Sequence, residues 1–362
     1  MLNRLSRLKS DMIFGLNKKF QDDIRKNKVN LIVGELIREN NLYKYSCVSK
    51  VEKDLLNKNI SYKYLPISGD PEFIEISKNI VFGENNNFIG FQTLSGTGAL
   101  TLSNHILNLI NKKEVITSNK FWPNHANIFN ITKTYNHDKN KELFEMLNNT
   151  TENVFLLQSC CHNPTGIDFS ENDWRKIGFY ANKNNHIIII DNAYQGLASG
   201  DLQYDNFGIK YLSNLNVNLI VCSSFSKNLG LYNCRVGSLF TNLQVENLKE
   251  HLEKYIRTKY SNPPAFGSNI VKNVYKYHKE EWEKEINSIV LDIKCKRNML
   301  GNALGIYLGG NGMFTELPLN KENIIKLREN EGIYMLENGR VNIAGVSSEN
   351  IHYLGVCIPK YL

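Results

Sequence analysis

The middle of the chain alternates short, wholly apolar runs with longer amphipathic stretches. The apolar runs lie in the segments "KEVITSN", "NVFLLQS", "HIIIIDN" and "NLIVCSS". Continuous runs of this length are typical of strands that are buried on both faces of a parallel sheet. Between two of these runs, "SENDWRKIGFYANKNN" places Trp174, Ile177 and Ala181 on one helical face, with Ser170 as the N-cap. The alternation predicts a doubly wound α/β domain.

A charged stretch nearer the carboxyl end, "KEEWEKEINSIVLDIKCKRNML", predicts one long helix. Trp282, Ile286, Ile289 and Ile293 recur within it at helical spacing. A helix with this single packed face is long enough to join two domains. No internal repeat is visible, and no apolar run reaches the roughly 18 residues that a membrane span requires. We therefore expect no membrane association.

Side chains suited to chemistry follow each of the four apolar runs. Parallel strands bring their carboxyl ends to one edge of a sheet, where ligands collect. The residues that follow the runs, in chain order, are Trp122, Asn124, His125, His162, Asn163, Asp191, Tyr194, Ser224, Ser226 and Lys227. We expect these side chains to line one site at that edge.

Composition narrows the class of protein. The 362 residues allow more than one domain, and the net charge of +7 arises from scattered lysines. No basic and aromatic repeat accompanies them, so we expect no nucleic-acid partner. The seven cysteines and eight histidines form neither a disulfide framework nor a zinc spacing, so we expect no metal and a reducing, cytoplasmic location. The basic start of the chain leaves a short organellar presequence as the alternative.

Lys227 stands among small and hydroxyl side chains in "SSFSKNLGLYNCRVG", with no acid beside it. A desolvated lysine can form a Schiff base with a carbonyl-bearing cofactor, of which pyridoxal 5′-phosphate is the commonest. This cofactor requires an anion site for its phosphate, a carboxylate at its ring nitrogen and an aromatic ring on its face. The chain offers one candidate for each requirement. Arg235 would bind the phosphate together with Ser95 and Thr97 at the helix start in "LSGTGAL". Asp191 is the candidate carboxylate for the ring nitrogen, and Trp122 is the candidate aromatic ring.

Each of these residues alone has an ordinary structural explanation. Glycines such as those of "SGTGA" are common in simple turns, Asp191 suits a helix cap, and Trp122 suits the core. A lone Lys227 is typical of a surface, and Arg235 of a surface ion pair. Their joint occurrence at successive strand ends favours the cofactor site. "LSGTGAL" matches neither the P-loop pattern nor the dinucleotide fingerprint.

The motifs together resemble the class I, fold-type I pyridoxal-phosphate aminotransferases, most closely the aspartate aminotransferases. The segments that carry the resemblance follow in family order: "YLPISGDPEF", "SGTGAL", "FWPNHANIF", "CCHNPTGID", "DNAYQGLASG", "SSFSKNLGLYNCRVG", "KYSNPPAFG", "NGMF" and "NGRVNIAG". The resemblance implies a large cofactor-binding domain at residues 44–290, with a mostly parallel seven-stranded sheet flanked by helices. Residues 1–43, including an N-terminal arm, and 291–362 would form a small α+β domain.

The resemblance also implies a role for each site residue. Lys227 would be the Schiff-base lysine and the proton carrier. Asp191 would pair with the ring nitrogen, with His125 orienting it. Tyr194 and Asn163 would donate hydrogen bonds to the cofactor phenolate. The other residues expected to bind the cofactor are Ser95, Gly96, Thr97, Ser224 and Arg235 at the phosphate, Trp122 on the ring face, and Tyr64 from the neighbouring subunit.

Two arginines would select the substrate. Arg340 matches the residue that binds the α-carboxylate, a site that Gly34, Trp122 and Asn163 would complete. Arg257, lent by the partner subunit, would pair with the distal carboxylate. The implied protein is a homodimer with shared active sites. It would transfer an amino group between L-aspartate and 2-oxoglutarate by ping-pong transamination, giving oxaloacetate and L-glutamate. An aromatic or broad-specificity aminotransferase and a non-catalytic paralogue remain the alternatives.

Four positions depart from the pattern of that family. Gln158 stands where a histidine is usual, and Cys234 replaces an acid beside the phosphate-binding arginine. Lys120 stands where most members have a proline, and Glu35 where a small apolar residue is common. None of the four removes a group that is expected to touch the cofactor.

Overall fold

The computed structural model describes residues 12–39, 41–58, 61–83 and 87–362. Residues 1–11 of the predicted N-terminal arm lie outside the described residues. The strands, in chain order, are β1 (Val29–Asn30), β2 (Ile37–Arg38), β3 (Asn41–Leu42), β4 (Ile89–Leu94), β5 (Glu114–Ser118), β6 (Asn130–Tyr135), β7 (Val154–Gln158), β8 (Ile187–Asn192), β9 (Asn218–Ser224), β10 (Val236–Thr241), β11 (Phe314–Glu316), β12 (Ile333–Tyr334) and β13 (Arg340–Asn342).

The described residues also form α-helices, and two short 3-10 helices lie at Ile343–Gly345 and Ile358–Tyr361. The α-helices are α1 (Met12–Asp22), α2 (Ser46–Asn57), α3 (Pro71–Phe82), α4 (Ser95–Leu109), α5 (His125–Ile128), α6 (Asn140–Asn149), α7 (Glu171–Lys183), α8 (Phe207–Asn214), α9 (Leu248–Lys259), α10 (Ala265–Tyr277), α11 (Lys279–Leu304), α12 (Lys321–Glu331) and α13 (Ile351–Cys357). None of these helices is both long enough and apolar enough to cross a bilayer.

The described chain forms two compact units. The larger unit comprises residues 43–58, 61–83, 87–292 and 310–312, and the smaller comprises residues 12–39, 41–42, 293–309 and 313–362. The predicted long helix forms as α11, whose residues are divided between the two units. The predicted division into a large domain at residues 44–290 and a small domain at residues 1–43 and 291–362 stays a prediction.

The larger unit is built on a seven-stranded sheet in the order β4-β10-β9-β8-β7-β5-β6. The five strands from β9 to β6 pair in parallel, and β10 is antiparallel to both of its neighbours. The four apolar runs of the sequence form the adjacent strands β9, β8, β7 and β5. The prediction of a mostly parallel, seven-stranded sheet in an α/β fold is therefore confirmed.

The continuous apolar strands are buried because helices cover both faces of this sheet. In β8, Ile188 and Ile190 pack on the face that also buries Trp174 of α7. Ile189, which points the other way, packs on the face that buries Leu102 of α4. Each side chain buried in this way contributes about 1.5–3 kcal/mol, so these layers hold the strand ends rigidly.

Helix α7 begins as its sequence predicts. The Ser170 hydroxyl accepts from the Asp173 backbone amide at 3.1 Å, and the Asp173 carboxylate accepts from the Ser170 amide at 3.0 Å. This reciprocal capping box satisfies two backbone donors at the helix start. The predicted apolar face of the helix, with Trp174, Ile177 and Ala181, is buried against the sheet.

The smaller unit carries only short strand pairs. β1 pairs with β12 in parallel, while β11 pairs with β13 and β2 with β3 in antiparallel fashion. Leu16 of α1 packs with Ile32, Tyr334 and Leu336 in a small core of this unit. Helices and short strands together give the α+β character that was predicted for the residues at the two chain ends.

Candidate active site

The carboxyl ends of three neighbouring strands lie side by side in the sheet. In the strand register, Gln158 of β7 lies opposite Asp191 of β8, and Asp191 lies opposite Cys222 of β9. Ser224 then ends β9, beside Gly237 of the antiparallel strand β10. The residues that were predicted to line this edge therefore come from adjacent strands of one sheet.

Asp191 and His125 form a buried pair at the end of β8. Nε2 of His125 lies 2.9 Å from Oδ2 of Asp191, and the two residues are 1% and 7% exposed. An ionised carboxylate only accepts hydrogen bonds, so Nε2 carries the proton of this pair. Nδ1 of His125 is buried and has no hydrogen-bond partner among the described residues.

Trp122 is oriented by the same histidine. Its ring meets the His125 ring edge to face, with centroids 5.4 Å apart and planes at 88°. The tryptophan is partly buried and packs against the apolar layer on one face of the sheet. Its position close to the Asp191 pair agrees with an aromatic wall beside the carboxylate.

Lys227 follows β9 and points toward an aromatic ring. Its Nζ lies 5.3 Å from the ring centroid of Tyr194, within cation–π range. The Tyr45 hydroxyl donates to the Lys227 carbonyl oxygen at 3.2 Å, and the Trp282 indole donates to the Asn228 carbonyl oxygen at 2.6 Å. Both aromatic donors are buried, so the backbone that carries the lysine is fixed from the residue before α2 and from α11.

Tyr45 and Trp282 were not predicted as site residues. Their contacts span 182 and 54 positions along the chain, and no local pattern connects such distant residues. The helical spacing around Trp282 predicted a packed face but not a hydrogen bond behind the lysine.

Three serine hydroxyls form a buried triangle at the start of α4. The Oγ atom of Ser95 lies 3.1 Å from that of Ser224 and 2.9 Å from that of Ser226, which are themselves 3.1 Å apart. Hydroxyl groups that meet at the amino end of a 15-residue helix are suited to an anion. Ser226 follows β9 in the sequence but was not predicted to bind the phosphate.

The backbone around the serine triangle allows close approach. Ser95 has φ +64°, a conformation that costs a non-glycine residue roughly 1 kcal/mol or more and that recurs at binding sites. An added Cβ at Gly96 would lie 3.2 Å from Ser224 Cβ, and one at Gly237 would lie 2.7 Å from the Ser95 carbonyl carbon. Thr97 follows in the first turn of α4 and is partly buried.

Arg235 lies immediately before β10, at the same edge of the sheet. It has φ +50°, its side chain is exposed, and its Nη1 donates to the Tyr232 carbonyl oxygen at 2.8 Å. Among the described residues no carboxylate forms an ion pair with it, so the surface ion pair considered above is not what holds this arginine.

His162, the residue before the buried Asn163, stacks on a second histidine. The His137 and His162 rings are 3.8 Å apart with planes at 19°, and the Thr165 hydroxyl lies within 3.0 Å of a ring nitrogen of each. Burial lowers the pKa of His137 and lowers that of His162 well below its ordinary value. Both rings are therefore neutral near pH 7.

Two of the predicted residues lie on the surface of the larger unit. Tyr64 is 89% exposed, an unusual state for a large aromatic side chain. Arg257 is exposed near the end of α9 and donates from Nη1 to the Ser261 hydroxyl. Their expected roles both involve a second subunit.

The remaining two predicted residues belong to the smaller unit. The Arg340 guanidinium lies 4.3 Å from the Phe314 ring centroid and donates to the Ile32 carbonyl oxygen at 2.6 Å. An added Cβ at Gly34 would lie 2.7 Å from the tip of the same Phe314 ring. Arg340 and Gly34 are therefore gathered around one phenylalanine.

The donor set of the larger unit fits pyridoxal 5′-phosphate. The serine triangle and helix start suit the phosphate, the buried Asp191 suits a protonated ring nitrogen, and Lys227 supplies a primary amine. No group of three or more His, Cys, Asp or Glu side chains in the described parts of the chain is arranged to hold a metal ion.

Comparisons with known proteins give one family over the whole chain. A sequence profile described as "Aminotransferase class I and II" matches residues 26–356. The aspartate aminotransferase of Haemophilus influenzae is 34% identical over 406 aligned positions, which cover 100% of both chains. The solved aspartate aminotransferase from Saccharomyces cerevisiae cytoplasm has a TM-score of 0.93 and 29% identity, covering 99% of this chain and 98% of its own. The broad specificity aminotransferase from Leishmania mexicana has a TM-score of 0.93 and 31% identity, covering 99% and 96%.

Proposed function

The chain belongs to the class I and II aminotransferases, and from this premise we propose that it transfers the amino group of L-aspartate to 2-oxoglutarate. The products are oxaloacetate and L-glutamate, and the cofactor is pyridoxal 5′-phosphate. Relatives that carry the name aspartate aminotransferase match the chain from end to end, which supports this reaction.

One observation in particular carries the proposal. Adjacent strands β8 and β9 lead to a buried carboxylate–imidazole pair and to a lysine amine at one edge of the sheet. Transamination requires a fixed anion for the ring nitrogen and a mobile base for the substrate proton. Asp191 with His125 meets the first requirement, and Lys227 meets the second.

The chain's own residues bind and orient the cofactor. When bound, pyridoxal 5′-phosphate supplies a protonated ring that accepts the electron pair of the broken α-carbon bond. Asp191 binds the ring nitrogen and, held by His125, keeps its negative charge there. Tyr194 and Asn163 donate to the phenolate oxygen. The groups proposed for the phosphate and the ring face are Ser95, Gly96, Thr97, Ser224, Arg235 and Trp122.

Lys227 moves the proton of the reaction. Its Nζ takes the proton from the α-carbon of the amino acid and delivers it to the carbon of the cofactor that receives the amino group. General base catalysis by a positioned side chain contributes about 10²–10⁴-fold to the rate. Tyr45 and Trp282 keep the lysine backbone still while the amine moves.

The substrate carboxylates bind to arginines. Arg340 binds the α-carboxylate, with Gly34, Trp122 and Asn163 completing that site. Arg257 binds the distal carboxylate, because a planar guanidinium fork pairs with a carboxylate through two parallel hydrogen bonds. Two such clamps select a dicarboxylic amino acid.

The active protein is a homodimer in which each site uses residues of both subunits. Tyr64 reaches the cofactor phosphate of the partner's site, and Arg257 reaches the partner's substrate. The 89% exposure of Tyr64 in a single chain supports this arrangement, because a second subunit would cover the ring. The dimer works in the cytoplasm, where a reducing environment suits seven free cysteines.

A broad-specificity or aromatic aminotransferase is the second candidate. Solved proteins named for those activities match this chain with TM-scores of 0.93 and 0.91. An arginine that swings away from the distal position would admit an aromatic side chain. The two candidates differ in kcat/KM for aspartate relative to phenylalanine.

A panel of amino-acid and 2-oxo-acid pairs with the purified, cofactor-loaded protein tests the proposal. We expect aspartate with 2-oxoglutarate to give the highest kcat/KM and Lys227→Ala to lower the rate by about 10²–10⁴-fold. Lys210→Ala, which removes a partly buried lysine outside the site, is the matched control and should keep wild-type activity. Equal turnover of phenylalanine would favour the second candidate, and a fully active Lys227→Ala would refute both.

A further inference from the structure

Gln158 ends strand β7 and holds both backbone groups of Asn163. Its Nε2 donates to the Asn163 carbonyl oxygen at 3.0 Å, and its Oε1 accepts from the Asn163 amide at 2.9 Å. Both hydrogen bonds are buried, and the two residues are 8% and 4% exposed. The side-chain amide thus pairs with the Asn163 backbone as a neighbouring strand would.

One further hydrogen bond ties the loop after β7 to strand β8, and another closes the loop on itself. The Ser159 amide donates to the Asp191 carbonyl oxygen at 3.2 Å, and the His162 amide donates to the Asp168 carboxylate at 2.9 Å. Gln158 itself lies opposite Asp191 in the strand register. The position of Asn163 is therefore set relative to the strand that carries the proposed ring-nitrogen partner.

A primary amide is well suited to making this pair of hydrogen bonds with one residue. It carries a donor and an acceptor side by side, whereas an ionised Glu only accepts and a Met does neither. A buried backbone group that loses its partner costs about 1–3 kcal/mol, so the clamp is strongly preferred over an open loop. Gln158 was noted above only as a departure from the family pattern, with no role attached.

We propose that Gln158 is a positioning residue for the transamination: it fixes the Asn163 backbone so that the Asn163 side-chain amide donates to the cofactor's phenolate oxygen. This inference rests on the function proposed above. A hydrogen bond to the phenolate stabilises its negative charge. It therefore lowers the pKa of the Lys227 side-chain nitrogen when that nitrogen is joined to the cofactor. Loosening the clamp therefore raises the pH at which the absorbance of the bound cofactor changes.

Two substitutions at position 158 and one matched control test the inference. Gln158→Met keeps the volume and removes both hydrogen bonds, while Gln158→Glu keeps the acceptor and removes the donor. Gln92→Met is the control, because Gln92 is 1% exposed and likewise bridges two backbone groups, the Asp70 amide and the Pro264 carbonyl oxygen. Hydrogen exchange of the peptide that contains Asn163 is measured on the protein without cofactor. The absorbance of the cofactor-loaded protein is measured as a function of pH.

We expect Gln158→Met to speed exchange in that peptide and to raise the titration midpoint by about 0.5–1 pH unit, the size of one weakened hydrogen bond. Gln158→Glu should shift both readouts in the same direction and decides the question if Gln158→Met does not fold. Gln92→Met should shift neither, although it loses as many hydrogen bonds.

Unchanged exchange and an unchanged midpoint in the Gln158 variants would overturn the positioning role. An equal shift of the midpoint in Gln92→Met would do the same, because the effect would then follow from general destabilisation. A wild-type protein that shows no cofactor absorbance would instead contradict the proposed function, whatever the exchange of the Asn163 peptide.

Discussion

At the scale of single residues, the candidate site consists of polar groups that are held by hydrogen bonds to other protein groups. A carboxylate buried as deeply as Asp191 is costly without a partner, and the His125 N–H supplies one. The same holds for the serine triangle and for the Gln158 clamp. Such preorganisation lowers the cost of binding a charged cofactor, because few groups have to move.

The buried histidine His162 makes the stability of the protein depend on pH. Its pKa is lowered well below the ordinary value of about 6.5, mainly because burial disfavours the charged ring. Below pH 6.5 the unfolded chain therefore binds a proton that the folded chain does not. The contribution of His162 to the free energy of unfolding is fully present above that pH. Below it, the free energy of unfolding falls by up to about 1.4 kcal/mol per pH unit.

We expect His162→Gln to reduce this pH dependence by roughly one proton. The amide of the new residue can still bond the Thr165 hydroxyl, and it does not titrate. Melting temperatures at pH 7.5 and pH 5.5 give the measurement, with the wild-type protein losing more than the variant. Identical losses in the two proteins would show that His162 is not the titrating group.

At the scale of elements, the hydrophobic pattern predicted the strands with an unbroken apolar run and missed the strands whose run is interrupted by polar residues or glycine. The four continuous apolar runs became β5, β7, β8 and β9. Strand β6 has an exposed, threonine-rich and lysine-containing sequence because it lies at the edge of the sheet. In β10 the apolar pattern is interrupted where Gly237 approaches Ser95 and where Ser238 bonds Ser77, although the strand is wholly buried.

The site shows the same division between local and distant information. Residues at strand ends could be predicted, because parallel strands end at one edge, and the His125–Asp191 contact follows from that geometry. Tyr45 and Gln158 could not, because each acts through a backbone group that sequence pattern does not describe. The sequence therefore pointed to the groups that we propose to face the cofactor, and it missed the contacts that hold their backbone.

The capping box of α7 gives a prediction that concerns stability alone. Ser170→Ala removes one acceptor at the helix start and should lower the free energy of unfolding by about 1 kcal/mol. Ser170→Thr keeps the hydroxyl and serves as the control, with a smaller effect. Denaturant unfolding measures both, and transamination should be unaffected in each. Equal stability of wild type and Ser170→Ala would mean that the cap contributes nothing.

At the scale of the whole molecule, the proposal requires two chains to build one site. The larger unit holds Lys227 and Asp191, while Tyr64 and Arg257 are exposed on its surface. If Arg257 serves the partner's site, then each active site draws its lysine and its distal arginine from different chains. Subunits with different defects should therefore complement each other.

Mixing Lys227→Ala subunits with Arg257→Leu subunits tests this arrangement. Half of the dimers formed at random are hybrids, and each hybrid has one site with both wild-type residues. We expect aspartate turnover to rise to about a quarter of the wild-type value, well above either parent. Turnover that stays at the mean of the two parents would show that each site is built from one chain.

The proposed reaction depends above all on the amine of Lys227 carrying the cofactor. The most direct measurement is to load the purified protein with pyridoxal 5′-phosphate, reduce it with borohydride, digest it and locate the modified residue by mass spectrometry. We expect one phosphopyridoxyl group per chain, on Lys227, and none there after incubation with excess aspartate before reduction. A modification spread over surface lysines, or its absence from Lys227, would contradict the proposed role of this lysine.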